Sequence, residues 1–183
     1  ADTAVTRVRE LGYASPNIVG YFPRVRVNDD DTPRPAGGAM AGLLCKQDRS
    51  YGPWHDLNQP DLGLQRRIRP VLALDEKSQQ LLRRAGLNAV IRGPAGRSQI
   101  AGSITMGRGS EADRKFVRLP VRRFCLQVIS TISKATRWAV FEPEDSTLAK
   151  RIRRQVLTYF DVLNDLGAFE SEEYVVQCDA GVS

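Results

Sequence analysis

The feature that most constrains the fold is a run of apolar residues at helical spacing in the last third of the chain. They recur every three or four positions, which places them on one face of a helix over residues 120–135: Val121, Phe124, Cys125, Val128, Ile129 and Ile132. Proline is tolerated in the first turn of a helix, where its missing N–H would have no intrahelical acceptor. The pattern predicts an amphipathic helix that covers a core.

A second amphipathic helix is predicted over residues 146–166, with Gly167 at its end. Its inward face is expected to carry six side chains: Leu148, Ile152, Val156, Tyr159, Leu163 and Leu166. Between the two helices, the apolar run 138–141 has the length of a buried strand, and residues 142–146 end it and cap the next helix. The alternation of residues 172–179 predicts a final strand.

Upstream of these helices the elements are shorter. Asp75 is a candidate N-cap for a helix that runs to Arg84 and ends at Gly86. Residues 87–91 and 100–106 are predicted strands, 93–96 a turn and 107–113 a polar loop. Over residues 1–50 we expect mainly loops: an extended stretch at 18–27, a surface loop at 28–38 and a helix that opens within 39–45. Alternating helices and strands predict an α/β fold, a mixed β-sheet covered by amphipathic helices. We expect one main domain over residues 51–183, preceded by a loop-rich segment over 1–50.

The charge balance raises the question of nucleic acid. The sequence has 27 Lys and Arg against 21 Asp and Glu, a net charge of +6. The arginines are scattered along the chain, however, and scattered basic residues are typical of solvated faces and ion pairs. A basic α/β nucleic-acid-binding domain is therefore kept as the alternative function. No apolar run reaches the ~18 residues of a membrane span, and the first residues lack the apolar stretch of a signal peptide, so we expect neither membrane insertion nor export by the general route.

No motif in the sequence predicts catalysis. Residues 93–98 are similar to a phosphate-binding loop, but only two residues separate the glycines and Arg97 stands where lysine is required. His55 is the sole histidine, and an ordinary structural role is favoured for it. The three cysteines are far apart, so neither a disulfide framework nor a zinc site is indicated. We expect no catalytic residues, no cofactor and no metal.

The acidic residues Glu142, Glu144 and Asp145 have two interpretations. They could work as general acid and base in a hydrolase, or bind a cation. Carboxylates at a helix N-terminus also have an everyday structural use, because they face the positive end of the helix dipole. The structural interpretation is favoured, and the hydrolase remains a third functional class.

Four basic residues near the start of the second long helix, called here the basic turn, do not stabilise that helix. They are Lys150, Arg151, Arg153 and Arg154. These cations lie near the positive end of the dipole, and Lys150 with Arg154 is a like-charged i, i+4 pair. Such an arrangement is useful if this face meets acidic groups on another molecule. Solvated charge is the alternative, since each such pair costs only about 0.2 to 0.5 kcal/mol.

The order of several short motifs resembles the C-terminal part of contractile tail sheath proteins from phages, phage-tail-like bacteriocins and contractile injection systems. The resemblance is carried by an extended segment at 21–25, a Pro/Gly-rich lead at 35–42, a tryptophan turn at 51–54 and a strand with its turn at 86–96. The most specific parts are residues 121–123 and 136–145, the long helix and residues 173–179. Residues 55–60 lack the usual alanine-rich stretch, and 100–106 lack the aromatic residue that often opens the strand.

The resemblance implies a structural subunit of a helical tube that surrounds an inner tail tube and contracts to drive it through a cell envelope. The implied partners are copies of the same chain, the inner tail tube protein and the baseplate, within a phage tail or tail-like particle assembled in the bacterial cytoplasm. Sheath proteins usually continue into further strands and an arm, so the chain is expected to be part of a longer protein or a divergent short member of the family. As interface residues we predict the basic turn and, for strand addition to a neighbour, four residues of the last strand: Tyr174, Val175, Val176 and Gln177.

Overall fold

The chain folds into two compact units, Ala1–Phe124 and Cys125–Ser183. The structure, a computed structural model, describes residues 1–28, 30–57, 59, 61–93, 96–143, 146–170 and 174–178. The first unit contains two three-stranded sheets with helices packed on them, and the described part of the second unit is mainly helical. The predicted α/β class, with a mixed sheet and covering helices, is confirmed.

The first sheet is mixed and has the strand order β1-β5-β6. Strand β1 (Gly20–Phe22) pairs in parallel with β5 (Leu87–Arg92), and β5 pairs antiparallel with β6 (Ser98–Ala101). In this register Gly20 lies opposite Leu87, and Val90 lies opposite Ile100. The central strand β5 was predicted over 87–91, and its first four residues are all buried.

The second sheet is antiparallel and has the order β3-β2-β4. Its central strand β2 (Val25–Val27) pairs with β3 (Asp30–Arg34) on one side and with β4 (Ile68–Pro70) on the other. Val25 is 2% exposed and contributes the main apolar contact of this sheet to the core.

Helices cover both faces of the first sheet, because neighbouring residues of β5 point to opposite sides. On one side, Leu87 and Ala89 pack with helices α1 (Asp2–Leu11) and α3 (Glu76–Arg84), which contribute Val5 and Leu82. On the other side, Val90 and Ile100 pack with Met40 and Leu43 of helix α2 (Gly37–Ser50). The Asp75 carboxylate accepts a 3.0 Å hydrogen bond from the Ser78 N–H, so the predicted N-cap of α3 is confirmed.

One polar residue is fully buried in the middle of this core. The Asn88 side chain donates to the carbonyl oxygens of Gly20 (3.1 Å) and Ile104 (2.8 Å) and accepts from the Ile104 N–H (2.9 Å). Because both its amide groups are satisfied, it joins β5 to two neighbouring segments without the free-energy cost of an unpaired polar group.

The remaining helices are α4 (Glu111–Arg114), α5 (Leu119–Ala135), a 3₁₀ helix (Arg137–Phe141) and α6 (Ser146–Asp165). The two long helices predicted over 120–135 and 146–166 are therefore confirmed. Two of their predicted inward residues are nevertheless exposed, Ile129 by 62% and Leu166 by 60%. Among the described residues, no helix combines the length and apolarity that a membrane span requires.

Several local predictions are wrong. Residues 138–141 form the 3₁₀ helix and not a strand, since the Ala139 N–H bonds to the Thr136 oxygen at 3.0 Å and no strand pairs with them among the described residues. The strand predicted over 100–106 ends at Ala101, because Gly102 adopts φ +118° and turns the chain. Within the predicted loop 107–113, Ser110 and Asp113 form a capping box that starts α4.

Two helices and three strands occupy residues 1–50, where the sequence predicted mainly loops. The helix expected within 39–45 is present as α2. Helix α1 was missed because its sequence is mostly polar and buries only Val5 fully, and strands β1 to β3 are too short for periodicity to show. Pro94 and Ala95 of the predicted 93–96 turn lie outside the described residues.

Candidate functional site

The basic turn lies on the exposed side of α6 in the second unit. All four side chains, those of Lys150, Arg151, Arg153 and Arg154, are exposed. Their neighbours on the helix, Ile152 and Val156, point inward, and Val156 is only 8% exposed. The helix therefore has the predicted two-sided character, with guanidinium and ammonium groups on its solvent face.

Arg151 is held within its own unit by two contacts. Its guanidinium carbon lies 4.4 Å from the centre of the Trp138 ring, a cation–π arrangement. One of its terminal nitrogens also lies 3.7 Å from a Glu142 carboxylate oxygen. Both side chains of that ion pair are substantially exposed, so the pair itself adds little stability. Arg151 thus joins the 3₁₀ helix to α6.

Trp138 is also fixed at its edge. Its indole N–H donates to Gln155 Oε1 at 3.1 Å, and the Gln155 amide donates to the Ala135 oxygen at 3.3 Å. Arg151 and Gln155 are four residues apart, so they lie on the same side of α6 and hold the same tryptophan. Beside them lies an open recess of about 600 Å³, lined by these three residues together with Arg154 and Thr158.

The described end of the chain, residues 174–178, lies along α6 and is called here the C-terminal segment. Arg153 Nε donates a 3.0 Å hydrogen bond to the backbone oxygen of Val176. The Tyr174 ring contacts those of Phe160 and Phe169, with centroid distances of 5.4 and 5.5 Å, and its hydroxyl donates to Asp161. The structure therefore brings together two sets of predicted interface residues, the basic turn and the last predicted strand.

The C-terminal segment forms neither a helix nor a strand. Its exposure alternates as predicted, with Tyr174, Val176 and Cys178 half-buried and Val175 and Gln177 exposed. The predicted pairing is absent from the described residues, because the segment packs on a helix, which offers no edge for pairing. Within the described chain, no residue accepts a hydrogen bond from the amides of Val175, Val176 or Gln177. Glu172, Glu173 and Asp179 lie outside the described residues.

Large apolar side chains are exposed on the same unit. Phe141 is 91% exposed, Val175 82% and Val140 79%, while Val162 and Leu166 are more than half exposed. Arginines beside exposed apolar groups are typical of protein–protein contact surfaces. Sequence reasoning found the arginines but missed Trp138 and Phe141 as surface residues, since it read 138–141 as buried.

The residues considered for catalysis have structural surroundings. His55 lies against the rings of Tyr51 and Trp54, at centroid distances of 6.0 and 6.1 Å. Ser98, from the loop similar to a phosphate-binding loop, is buried and donates to the Ile68 oxygen at 2.7 Å. In the part of the chain that the structure describes, no cluster of three potential metal ligands occurs. Glu144 and Asp145 lie outside that part, and Glu142 faces Arg151.

Comparison with known proteins gives a consistent fold. No protein-family model and no curated protein matches the sequence. Among solved structures, a chain from the sheath complex of an extracellular contractile injection system, PVC, in its contracted state matches 94% of this chain with a TM-score of 0.80 and 20% identity. Chains from the anti-feeding prophage match 87% at 24% identity, with TM-scores of 0.76 in its baseplate and 0.72 in its contracted helical sheath.

The chain spans less than half the length of these proteins, 47% of the first and 42% and 44% of the other two. The match includes the predicted α/β elements and both long helices, so it agrees with the resemblance carried by the sequence motifs. The chain has the fold of contractile tail sheath proteins.

Proposed function

We propose that this chain is part of a structural subunit of a contractile sheath, which polymerises into a helical tube around an inner tail tube. Contraction of the sheath drives that inner tube through a cell envelope. The observation that carries the proposal is the fold match over 94% of the chain to a sheath complex, which agrees with the order of motifs along the sequence. The role is non-catalytic: the work comes from a change in subunit packing.

Two features of the second unit support a role in assembly. The second unit carries both exposed cations, Lys150 and Arg154, and exposed apolar residues, Val140 and Phe141, a combination suited to contact with a neighbouring protein. The amides of the C-terminal segment have no acceptor among the described residues and suit the addition of a strand from another copy. The proposed partners are other copies, the inner tail tube and the baseplate, in a tail-like particle assembled in the bacterial cytoplasm.

The nucleic-acid alternative has less support. Two of the four residues of the basic turn already contact their own unit. Arg151 contacts Trp138 and Glu142, and Arg153 donates to the Val176 oxygen. A phosphate-binding surface would require them to turn away from these partners.

Copy number tests the proposal. A sheath subunit repeats along the whole tube, whereas a baseplate or accessory protein is present in a few copies. Quantitative mass spectrometry of purified particles should therefore find peptides of this chain among the most abundant, at a level comparable to those of the inner tube protein. Peptides at only a few copies per particle, or none, would contradict the proposal.

A further inference from the structure

A cleft at the end of α3 is lined almost wholly by arginine and is called here the arginine cleft. Its volume is about 430 Å³, and its four lining residues are Gln80, Arg83, Arg84 and Arg108. Arg83 and Arg84 occupy the last turn of α3. Arg108 approaches from the segment after Met106 and donates a hydrogen bond to the backbone oxygen of Arg83. Three guanidinium groups therefore surround one space.

The helix end explains only part of this arrangement. Cations in the last turn of a helix face the negative end of its dipole, which accounts for Arg83 and Arg84. Arg108 also bonds this helix end through the Arg83 oxygen, but its charge adds to the repulsion among the three guanidinium groups. Partial loss of water contact also lowers the pKa of Arg108. An anion in the cleft would relieve both the repulsion and the lost hydration.

A second recess shares Arg83 with the arginine cleft. It has a volume of about 250 Å³, and its polar lining includes Arg83, Arg118, Asp56 and Ser103. The Ser103 hydroxyl is buried and has no hydrogen-bond partner among the described residues. Arg118 contacts Asp56 at 3.4 Å with its side chain 61% exposed, so it remains available to a second acceptor. The two spaces together are lined by four arginines.

Arginine is suited to carboxylates and to aromatic rings. Its planar guanidinium can donate to both oxygens of a carboxylate and can stack on a ring face. The chain itself uses both contacts. Arg123 donates to both oxygens of Asp48, at 2.7 and 2.6 Å, and Arg122 lies 4.7 Å from the centre of the Phe116 ring.

The same sequence carries a segment with the complementary chemistry. Phe141, 91% exposed, is followed directly by Glu142, Pro143, Glu144 and Asp145, which places one ring and three carboxylates within five residues. We propose that the arginine cleft of one copy binds this acidic segment, residues 141–145, of a second copy. The proposal deepens the proposed function, because it names one contact by which copies associate.

The contact joins two different surfaces, one on each unit of the chain. Such a heterologous contact leaves a free cleft on one copy and a free acidic segment on the other, so it repeats without end unless the rotation closes a ring. This is the type of contact that a helical tube requires.

Peptide binding tests the proposal on the isolated chain. The probe is a fluorescent peptide of residues 139–148, and binding is followed by anisotropy. The double variant R83Q/R108Q should bind at least about tenfold more weakly than wild type, because paired guanidinium–carboxylate contacts are lost. The matched control R66Q/R67Q removes the same charge from two exposed arginines outside the cleft and should bind within about twofold of wild type.

A second arm changes only the peptide, so it does not depend on whether a variant folds. The peptide with the substitutions E142Q, E144Q and D145N should also bind at least about tenfold more weakly. Equal binding by all chains or by both peptides would overturn the proposal. Tighter binding of a single-stranded oligonucleotide than of the peptide would also overturn the proposal if that binding is lost in R83Q/R108Q. The cleft would then be a phosphate site. If peptide binding fails while the chain is abundant in particles, the cleft proposal falls and the proposed function stands.

Discussion

Arg153 donates a hydrogen bond of 3.0 Å from Nε to the backbone oxygen of Val176. This bond ties the C-terminal segment to the basic turn of α6. The segment is thus held in place while the amides of Val175, Val176 and Gln177 face no acceptor among the described residues. A backbone kept in this state is a ready template for a strand from another molecule.

Replacing Arg153 with Ala should loosen the C-terminal segment. A hydrogen bond of this kind contributes about 1 kcal/mol, which corresponds to a roughly fivefold change in an opening equilibrium. Backbone order parameters of residues 175–177, measured by NMR relaxation, should therefore fall. Arg154→Ala is the matched control, because Arg154 is an exposed neighbour whose side chain makes no such bond in the described chain, and it should leave these order parameters unchanged. Equal order parameters in both variants would show that Arg153 does not hold the segment.

Strand addition predicts a different change when the protein assembles. The amides of Val175, Val176 and Gln177 should exchange more slowly in assembled particles than in the isolated chain, because a neighbouring strand would supply acceptors. Val176→Pro removes one of these donors and should reduce both the protection and the yield of tubes. Circular dichroism of the variant confirms that it folds. Identical exchange in the two states would place the contacts elsewhere.

Charge reversal separates the internal and external roles of the basic turn. Arg154→Glu should impair sheath assembly with little effect on melting, as expected for an exposed residue worth about 0.5 kcal/mol or less. Arg151→Glu should in addition lower the free energy of unfolding by about 1 kcal/mol, because it removes the stack on Trp138 and faces Glu142. Thermal unfolding and electron microscopy of both variants measure the two effects. Normal assembly of Arg154→Glu would contradict an interface at this position.

The long periodic helices could be predicted because their burial is set by their own sequence. Val156 and Leu163 face inward as the spacing requires, at 8% and 4% exposure. The strand prediction at 138–141 is wrong, because the conformation of these residues depends on contacts with residues elsewhere in the chain. Trp138 is held by Arg151 and Gln155 from a later helix, which leaves Phe141 in solvent. A continuous apolar run indicates burial in a monomer or contact with a partner, and periodicity cannot separate the two.

The candidate site was predicted in part for the same reason. The basic turn could be identified from the sequence, because the position of a charge relative to the helix dipole depends only on the sequence of that helix. The arginine cleft could not be predicted, because Arg83 and Arg108 are distant in sequence and meet only through the turn after α3. Tyr174 was expected in a strand, and its packing on Phe160 depends on the tertiary fold.

Tyr21 provides a test of the core at high pH. Burial raises the pKa of its hydroxyl from 10.0 to about 12, with a smaller opposing effect from Arg123. The neutral form is favoured in the folded state, so this contribution to stability is complete below pH 10 and is lost as the pH rises towards 12. In urea unfolding experiments, the free energy of unfolding of wild type should fall by about 1 to 2 kcal/mol more than that of Tyr21→Phe between pH 9.5 and about 11.5.

At neutral pH, Tyr21→Phe should be neutral or stabilising by less than about 1 kcal/mol, because the Tyr21 hydroxyl is buried with no hydrogen-bond partner among the described residues. Tyr13→Phe is the control, since Tyr13 is 53% exposed, and it should keep the wild-type dependence on pH. A strong destabilisation of Tyr21→Phe at pH 7 would reveal a hydrogen bond that this account lacks.

The position of the chain in the particle tests the central claim most directly. Antibodies raised against the 183-residue chain should label purified particles, with gold particles counted along the tube by electron microscopy. A sheath subunit predicts label at regular intervals over the whole length of the outer tube, in extended and contracted particles alike. Label confined to one end, or absent from the tubes altogether, would contradict the assignment of this chain to the sheath.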